Sequence, residues 1–390
     1  MQAPHFGSPA YDAVIVGARC AGAATALLLA RAGARVLVVD RQKYGTDTAS
    51  THALMRGAVI QLHRWGVLPA LMAAGTPPVT AATFHYGTEA TRVAVKPEHG
   101  VDFLCAPRRT LLDPLLVDAA RAAGAEIRHD VAVAGLGFGA GGRVIGVELR
   151  DGAQNSAAIG AGVVIGADGR QSTVAKLVGA RAYAEGRAGS GYVYGYYSGL
   201  VDDGYHWYFG DGVAAGAIPT NDGQHCVFTG VPGERFAEVF RGDLDGGFRR
   251  VAAANSPALA EAIDGARLDG RLRGFVSMPG YMRQSHGAGW ALVGDAGYFK
   301  DPLTAHGITD ALRDAELLSR AVQAGSTDAY ARYQEERDAL SQPLFEVTGA
   351  IAGLDRPLDE VKRLHDRLSE AMKAEACRIA GLSAPDTLAA

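Results

Sequence analysis

An α/β fold in two parts is predicted, with a parallel-sheet nucleotide-binding domain interrupted by an antiparallel sheet and followed by C-terminal helices. Three observations predict it. The chain opens with a strand, glycine turn, helix and strand; its middle third alternates aromatic and polar residues; and a strand–helix pair near residue 290 returns to the texture of the beginning. The length of 390 residues suits this division, being more than one compact core usually takes.

Tyr11–Val16 is a short apolar run, 21–32 is rich in Ala and Leu with Gly33 behind it as a C-cap, and 35–39 is a second apolar run, which together predict a βαβ unit. Residues 58–73 and 111–123 predict helices, the second stopped by Gly124. Residues 144–149 and 163–165 predict strands around a turn-rich stretch at 150–162, most simply a hairpin. Between 180 and 280, Tyr192, Tyr194 and Tyr196 fall on one face of a strand, as expected of an inserted antiparallel sheet. Residues 290–293 predict the returning strand, and Ile308, Ala311, Leu312, Ala315, Leu318 and Val322 keep helical spacing after it. The remainder is charged and helical, with Pro343 expected to break or kink it. The expected domains are 1–180, including a small substrate-side segment near 76–105, then 181–285, the return at 286–326, and the C-terminal helices at 327–390.

The net charge of −4 offers no attraction for nucleic acid or anionic lipid, and no apolar stretch reaches the length of a membrane span. The cysteines Cys20, Cys105, Cys226 and Cys377 form no CxxC pair, which argues against a zinc site or disulfide framework and for a reducing compartment, the cytoplasm. The first ten residues lack the pattern of a secretion signal and read as a loose tail.

Gly17-Ala18-Arg19-Cys20-Ala21-Gly22 occupies the strand-to-helix turn of a dinucleotide fingerprint, and Asp40 ends the next strand 23 residues after Gly17. Gly17 permits the turn, Gly22 lets helix and strand approach, and the helix N-terminus directs N–H groups at a pyrophosphate. Asp40 can accept ribose hydroxyls. Arg19 replaces the second glycine, so its side chain either swings away or adds positive charge near the phosphates. Arg41 either stacks over adenine or lies solvated.

The fingerprint alone does not separate NAD from FAD. Gly166-Ala167-Asp168-Gly169-Arg170-Gln171-Ser172 resembles a motif of FAD-dependent aromatic hydroxylases, and Gly294-Asp295-Ala296 with Pro302 and Gly307 resembles their second FAD motif. This resemblance to the p-hydroxybenzoate hydroxylase-like superfamily implies a Rossmann-like FAD-binding domain, with FAD as cofactor. It implies that Asp295 bonds the ribityl chain and that the helix start at Gly307–Ile308 meets the pyrimidine edge of the flavin. It also implies an arginine before a helix that reaches FAD, matched by Arg109 in Arg109-Thr110-Leu111-Leu112-Asp113, although the adjacent Arg108 allows a slip of one. Departures stand at Gly297-Tyr298, where many relatives have His after G-D-A, and at Thr304-Ala305-His306-Gly307.

The activity implied is monooxygenation: NADPH or NADH reduces FAD, O2 reacts at C4a, and the hydroperoxide attacks an aromatic or polyketide-like small molecule; a separate flavin reductase could supply the electrons. His52 and His306 are the candidate catalytic residues, each with a local structural hydrogen bond as its alternative. Tyr194, Tyr196 and Trp207 are candidate substrate residues, with ordinary sheet core as theirs. Flavin halogenases carry W-x-W-x-I-P, and Trp65, Trp207 and Trp290 form no such segment. Geranylgeranyl reductase-like flavoproteins carry Y-x-W-x-F-P; Tyr205-His206-Trp207-Tyr208-Phe209-Gly210 lacks only the proline, so a reductase of prenyl or enone double bonds is the alternative.

Overall fold

The computed structural model describes residues 6–151, 156–186, 189–201 and 203–382. Its first sheet has a parallel core in the order Trp290–Leu292, Ser156–Gly166, Tyr11–Val16, Val36–Asp40, Glu126–His129. Successive side chains along a strand point to opposite faces. Ala13, Ile15, Val36, Val38 and Ile165 therefore pack under the helices Cys20–Arg31, Arg109–Ala122 and Gly307–Ala324. Val14, Val16, Leu37, Val39 and Val164 face the other way, under Leu136, Val147 and Leu149 of the strands Val131–Phe138 and Val144–Asp151. Burial on both faces explains why these strands read as unbroken apolar runs.

The second sheet runs in the order Arg267–Val276, Ser190–Ser198, Gln224–Pro232, Val213–Pro219, Tyr205–Gly210, Ala81–Tyr86, Glu89–Ala94. It is antiparallel except at one junction, where Tyr205–Gly210 pairs in parallel with Ala81–Tyr86. A small third sheet consists of Ala182–Glu185, Tyr281–Arg283 and Tyr298–Phe299.

Three helices, Phe236–Phe240, Leu244–Asn255 and Pro257–Gly265, also interrupt the middle segment, where sheet alone was expected. They bury Phe240, Phe248, Val251, Leu259 and Ile263 against Val193, Tyr197, Val227 and Val231 on the outer face of the second sheet. Asp243 and Ser256 cap the latter two through the amides of Gly246 and Leu259.

Further departures are local. The helix expected at 58–73 is two, Arg56–Arg64 and Leu68–Ala73, parted at Gly66 with φ +72°. The hairpin partner of Val144–Asp151 is an eleven-residue strand beginning at Ser156, so the stretch expected as turn is mostly ladder; residues 152–155 lie outside the described set. Pro343 does not break its helix, which continues from Thr327 to Ala352 and ends at Gly353. The lost hydrogen bond is offset by burial of Leu344, Val347 and Ile351 against the second sheet. The last helix, Leu358–Ala380, adds Val361, Leu364 and Leu368 to that cluster, so the C-terminal helices pack on this chain.

Candidate cofactor and substrate site

The glycine turn has no room for side chains. A Cβ on Gly17, whose φ is +106°, would stand 2.4 Å from the Ala167 carbonyl oxygen, and one on Gly22 would stand 1.8 Å from that of Gly17. Asp40 ties the turn to the second strand, accepting from the amides of Ala18 and Gln42 at 2.7 Å each. Each carboxylate oxygen keeps a second lone pair for a ribose hydroxyl.

Arg19 swings away from the turn. Its guanidinium donates to Asp113 at 3.0 Å and to the carbonyls of Thr46 and Asp47. Asp113 also accepts from the Cys20 thiol at 3.0 Å and from the buried Arg109 at 3.0 and 2.9 Å. Arg109 and Asp113 are one helical turn apart. Asp113 was part of the quoted motif, yet its role as the shared anchor was not read from it.

Ser172 caps the short helix Thr173–Leu177 through the amide of Ala175 at 3.0 Å, and Asp168 accepts from Ser172 Oγ at 2.5 Å and from the amide of Thr173 at 2.6 Å. Gly169 beside it has φ +78°. Asp295 is half-buried at the end of the returning strand. Burial pushes its carboxyl up to about 6, with Arg170, Lys300 and Arg109 pulling it down and Asp310 adding to the rise.

These residues border one cavity of about 850 Å³. At one end lie Gly17, Arg19, Cys20, Ala21, Asp40 and Arg41; Asp168, Gly169, Arg109 and Asp295 follow; Pro302, Gly307 and Ile308 line the other end. The rings of Tyr192, Tyr194, Phe228 and Phe275 meet in a wall with centroids 5.5–6.4 Å apart, and Phe299, packed on Tyr281, and His52 also line the cavity. Of these wall residues, only Tyr194 and His52 were singled out as candidates from sequence. Tyr192 is fixed by its hydroxyl, which donates to Asp301 at 2.7 Å, and the same carboxylate accepts from the amide of Ser190 at 2.8 Å.

Ala18, Gly22 and Gly294 stand behind the cavity as packing positions, and Ala18 also borders a smaller cleft beside Asp40. Tyr196, Trp207 and His306 do not line the cavity either. Tyr196 carries Arg108 over its ring at 3.6 Å, and Trp207 packs on Tyr205 and Phe228. His306 is buried against Glu375 of the last helix, Nε2 to carboxylate 2.5 Å. It is a structural partner of that helix rather than a group facing substrate.

His306, Asp310 and Glu375 bring ligand-type atoms within 4.8 Å of one another. Arg313 donates to both Asp310 and Glu375, and Lys300 pairs with Asp310, so cations already occupy the two carboxylates.

His52 sits at φ +63° with its Nε2 2.5 Å from Tyr196 Oη. Burial, then the nearby Arg109 and Arg108, holds it well below the usual imidazole range, so it is neutral near pH 7. It offers hydrogen bonding rather than charge.

The residues fit FAD on structural grounds: a turn that a Cβ would fill, a carboxylate at each end of the expected phosphate stretch, and a continuous cavity leading from a ribose acceptor to a ring-walled chamber. Comparison with known proteins agrees. Residues 10–198 match the family model described as FAD binding domain. The chain is 28% identical over 351 residues to the menaquinone reductase of Mycolicibacterium smegmatis, covering 82% of this chain and 78% of that one. Among solved structures, a flavin-dependent brominase superposes with TM-score 0.79 at 17% identity, covering 96% of each chain. A probable FAD-dependent monooxygenase from Pseudomonas aeruginosa superposes with TM-score 0.76 at 20% identity, covering 93% of this chain and 99% of that one. At such identities the structural likeness establishes the fold. The chain carries an FAD-binding domain and is an FAD-dependent oxidoreductase.

Proposed function

We propose that this FAD-dependent oxidoreductase is a monooxygenase acting on an aromatic or polyketide-like small molecule, with NADPH or NADH as reductant, used directly or through a separate flavin reductase. In this reading residues 1–180 and 286–326 serve the cofactor and 181–285 the substrate. The observation that carries the reading is the ring-walled chamber of Tyr192, Tyr194, Phe228, Phe275 and Phe299 opening onto the Pro302–Ile308 segment.

Bound FAD supplies the redox chemistry, taking electrons from the nicotinamide and activating O2. The chain's part is to bind, orient and exclude water. The helix beginning at Cys20 would direct its N–H groups at the pyrophosphate, Asp40 would accept from the ribose hydroxyls, and Asp295 would accept from the ribityl chain. The N–H groups at Gly307 and Ile308 would donate to the flavin and favour negative charge on it. The aromatic wall seats a planar substrate by offset stacking and keeps water from the reacting edge. Asp301 holds Tyr192 in that wall through its hydroxyl.

The test is oxygen uptake by the FAD-loaded protein with NADH or NADPH, with and without phenolic and polycyclic compounds. Uptake stimulated by one compound with little peroxide released supports the reading. The similarity to menaquinone reductase favours a second reading, reduction of a prenyl or enone double bond. Anaerobic saturation of such a bond by the reduced protein, without substrate-linked oxygen uptake, would replace the first reading with the second.

A further inference from the structure

Lys300 and Asp310 border the cavity from opposite sides of the Pro302–Gly307 segment, Lys300 just before it and Asp310 on the first turn of Gly307–Ala324. Their side chains are 3% and 5% exposed and form an ion pair. The Lys300 ammonium lies 5.0 Å from the centre of the Tyr298 ring, another cavity residue. The second Asp310 oxygen accepts from Arg313 at 3.1 Å, and Arg313 also reaches Asp314 and Glu375. Both members of the pair act electrostatically on Asp295 in opposite senses, and Asp295 is the residue proposed above to meet the ribityl chain.

Packing does not call for a charge pair at this position. Two charges taken out of water cost several kcal/mol each, and apolar residues would fill the space at least as stably. In a water-poor site, however, fixed charges act strongly on a neighbour whose own charge changes. Reduction of a flavin is such a change, because negative charge collects on its pyrimidine edge.

We propose that the Lys300–Asp310 pair tunes the electron affinity of the bound flavin, Lys300 favouring the reduced state and Asp310 limiting that preference. The inference rests on FAD binding alone and holds whether the substrate is oxygenated or reduced. Lys300→Met leaves the Asp310 carboxylate facing the flavin with only Arg313 against it, and disfavours reduction. Asp310→Asn leaves the Lys300 ammonium unopposed and favours it. The two substitutions therefore move the midpoint potential in opposite directions, which a loss of packing or a general weakening of FAD binding would not do.

The test is anaerobic dye-equilibrium titration of the FAD-loaded protein, read from flavin absorbance with no substrate or oxygen present. The preference for reduced over oxidised FAD is expected to fall about tenfold in Lys300→Met, about 30 mV for a two-electron couple, and to rise by a similar factor in Asp310→Asn. Lys300→Arg keeps the charge and is expected to stay near the parent. Should Lys300→Met fail to hold FAD, Lys300→Gln carries the same expectation. Shifts of one sign in both charge variants, no shift in either, or a Lys300→Arg shift as large as that of the neutral variant overturns the inference.

Discussion

Asp295, proposed to accept from the ribityl chain, would link cofactor binding to folding stability in a way that can be measured. Its carboxyl is raised from 3.8 to about 6 in the cofactor-free fold, chiefly by burial. Between those values the folded protein keeps a proton that the unfolded chain has released, so stability is fully present below about pH 4 and lost as pH rises through about 6. A shift of about two units corresponds to about 3 kcal/mol at pH 8. Asp295→Asn removes this titration. The flavin-stripped variant is expected to match the parent near pH 4 and exceed it by up to about 3 kcal/mol near pH 8. The FAD-binding step moves the other way. Losing a charge-assisted acceptor for the ribityl hydroxyls costs about 1.5–3 kcal/mol, or about 10–150-fold in affinity. Urea unfolding of stripped protein at the two pH values and fluorescence titration with FAD read the two effects separately. A stability difference independent of pH would refute the burial argument, and unchanged FAD affinity would refute the ribityl assignment.

Gly22→Ala, with its Cβ 1.8 Å from a carbonyl oxygen, is expected to abolish FAD binding or soluble expression, whereas Gly7→Ala, with nothing within 4 Å, changes stability by less than about 0.5 kcal/mol in thermal unfolding. Asp113→Asn strands the buried Arg109 cation and should cost about 3–5 kcal/mol in urea unfolding, with much of the loss recovered when Arg109→Met is added. At His52, φ +63° tolerates Asn far better than a β-branched residue, so His52→Asn should fold normally and His52→Val should lose about 1–3 kcal/mol. If both unfold alike, the side chain's bond to Tyr196 outweighs the backbone. Asp40→Ala removes the acceptor for the amides of Ala18 and Gln42 and for the proposed ribose contact, and is expected to lower FAD affinity by at least about tenfold in the same fluorescence titration.

The parallel-sheet core was legible because its chemistry is local. Alternating buried faces, a turn that admits only glycine and an acid at a strand end leave marks within 30 residues of each other, from Tyr11 to Asp40. What sequence missed depends on contacts between distant segments. The helices between 236 and 265 were hidden because the aromatic alternation around them reads as sheet, although Phe248, Val251 and Val227 now share one cluster. The helix through Pro343 depends on the second sheet beneath it. The parallel junction beside Ala81–Tyr86 joins strands more than a hundred residues apart. Tyr194 and Tyr196 share a strand face, yet only Tyr194 reaches the cavity, because Arg108 and His52 cover Tyr196. No pattern of spacing distinguishes them. The Lys300–Asp310 pair left a faint sign, a lysine set in the apolar run Tyr298-Phe299-Lys300, but its partner is fixed only by the fold.

The contacts around the aromatic part of the cavity tie the Lys300–Leu303 segment to the second sheet. Asp301 follows Lys300 and accepts from Ser190 and Tyr192 of the second sheet, while Leu303 donates back to it at 3.0 Å. His52 meets Tyr196 on the same strand, and Asp47 meets Arg273 at 3.1 Å across the neighbouring one. Apart from the Leu303 bond, which is internal to its loop, each joins a loop of the first sheet's domain to the sheet that carries the aromatic wall. The wall and the Lys300–Leu303 segment are therefore held in one geometry, so in the proposed reaction no ordering of them would be needed when substrate enters. Val276 and Met278 line the same cavity and are 50% and 38% exposed, so the preorganised chamber meets solvent at an apolar rim. On the proposed roles, such a chamber would discriminate by shape and apolar contact at this rim, while the Lys300–Asp310 pair would set electron affinity, so the two properties would fall to different residues of a single cavity.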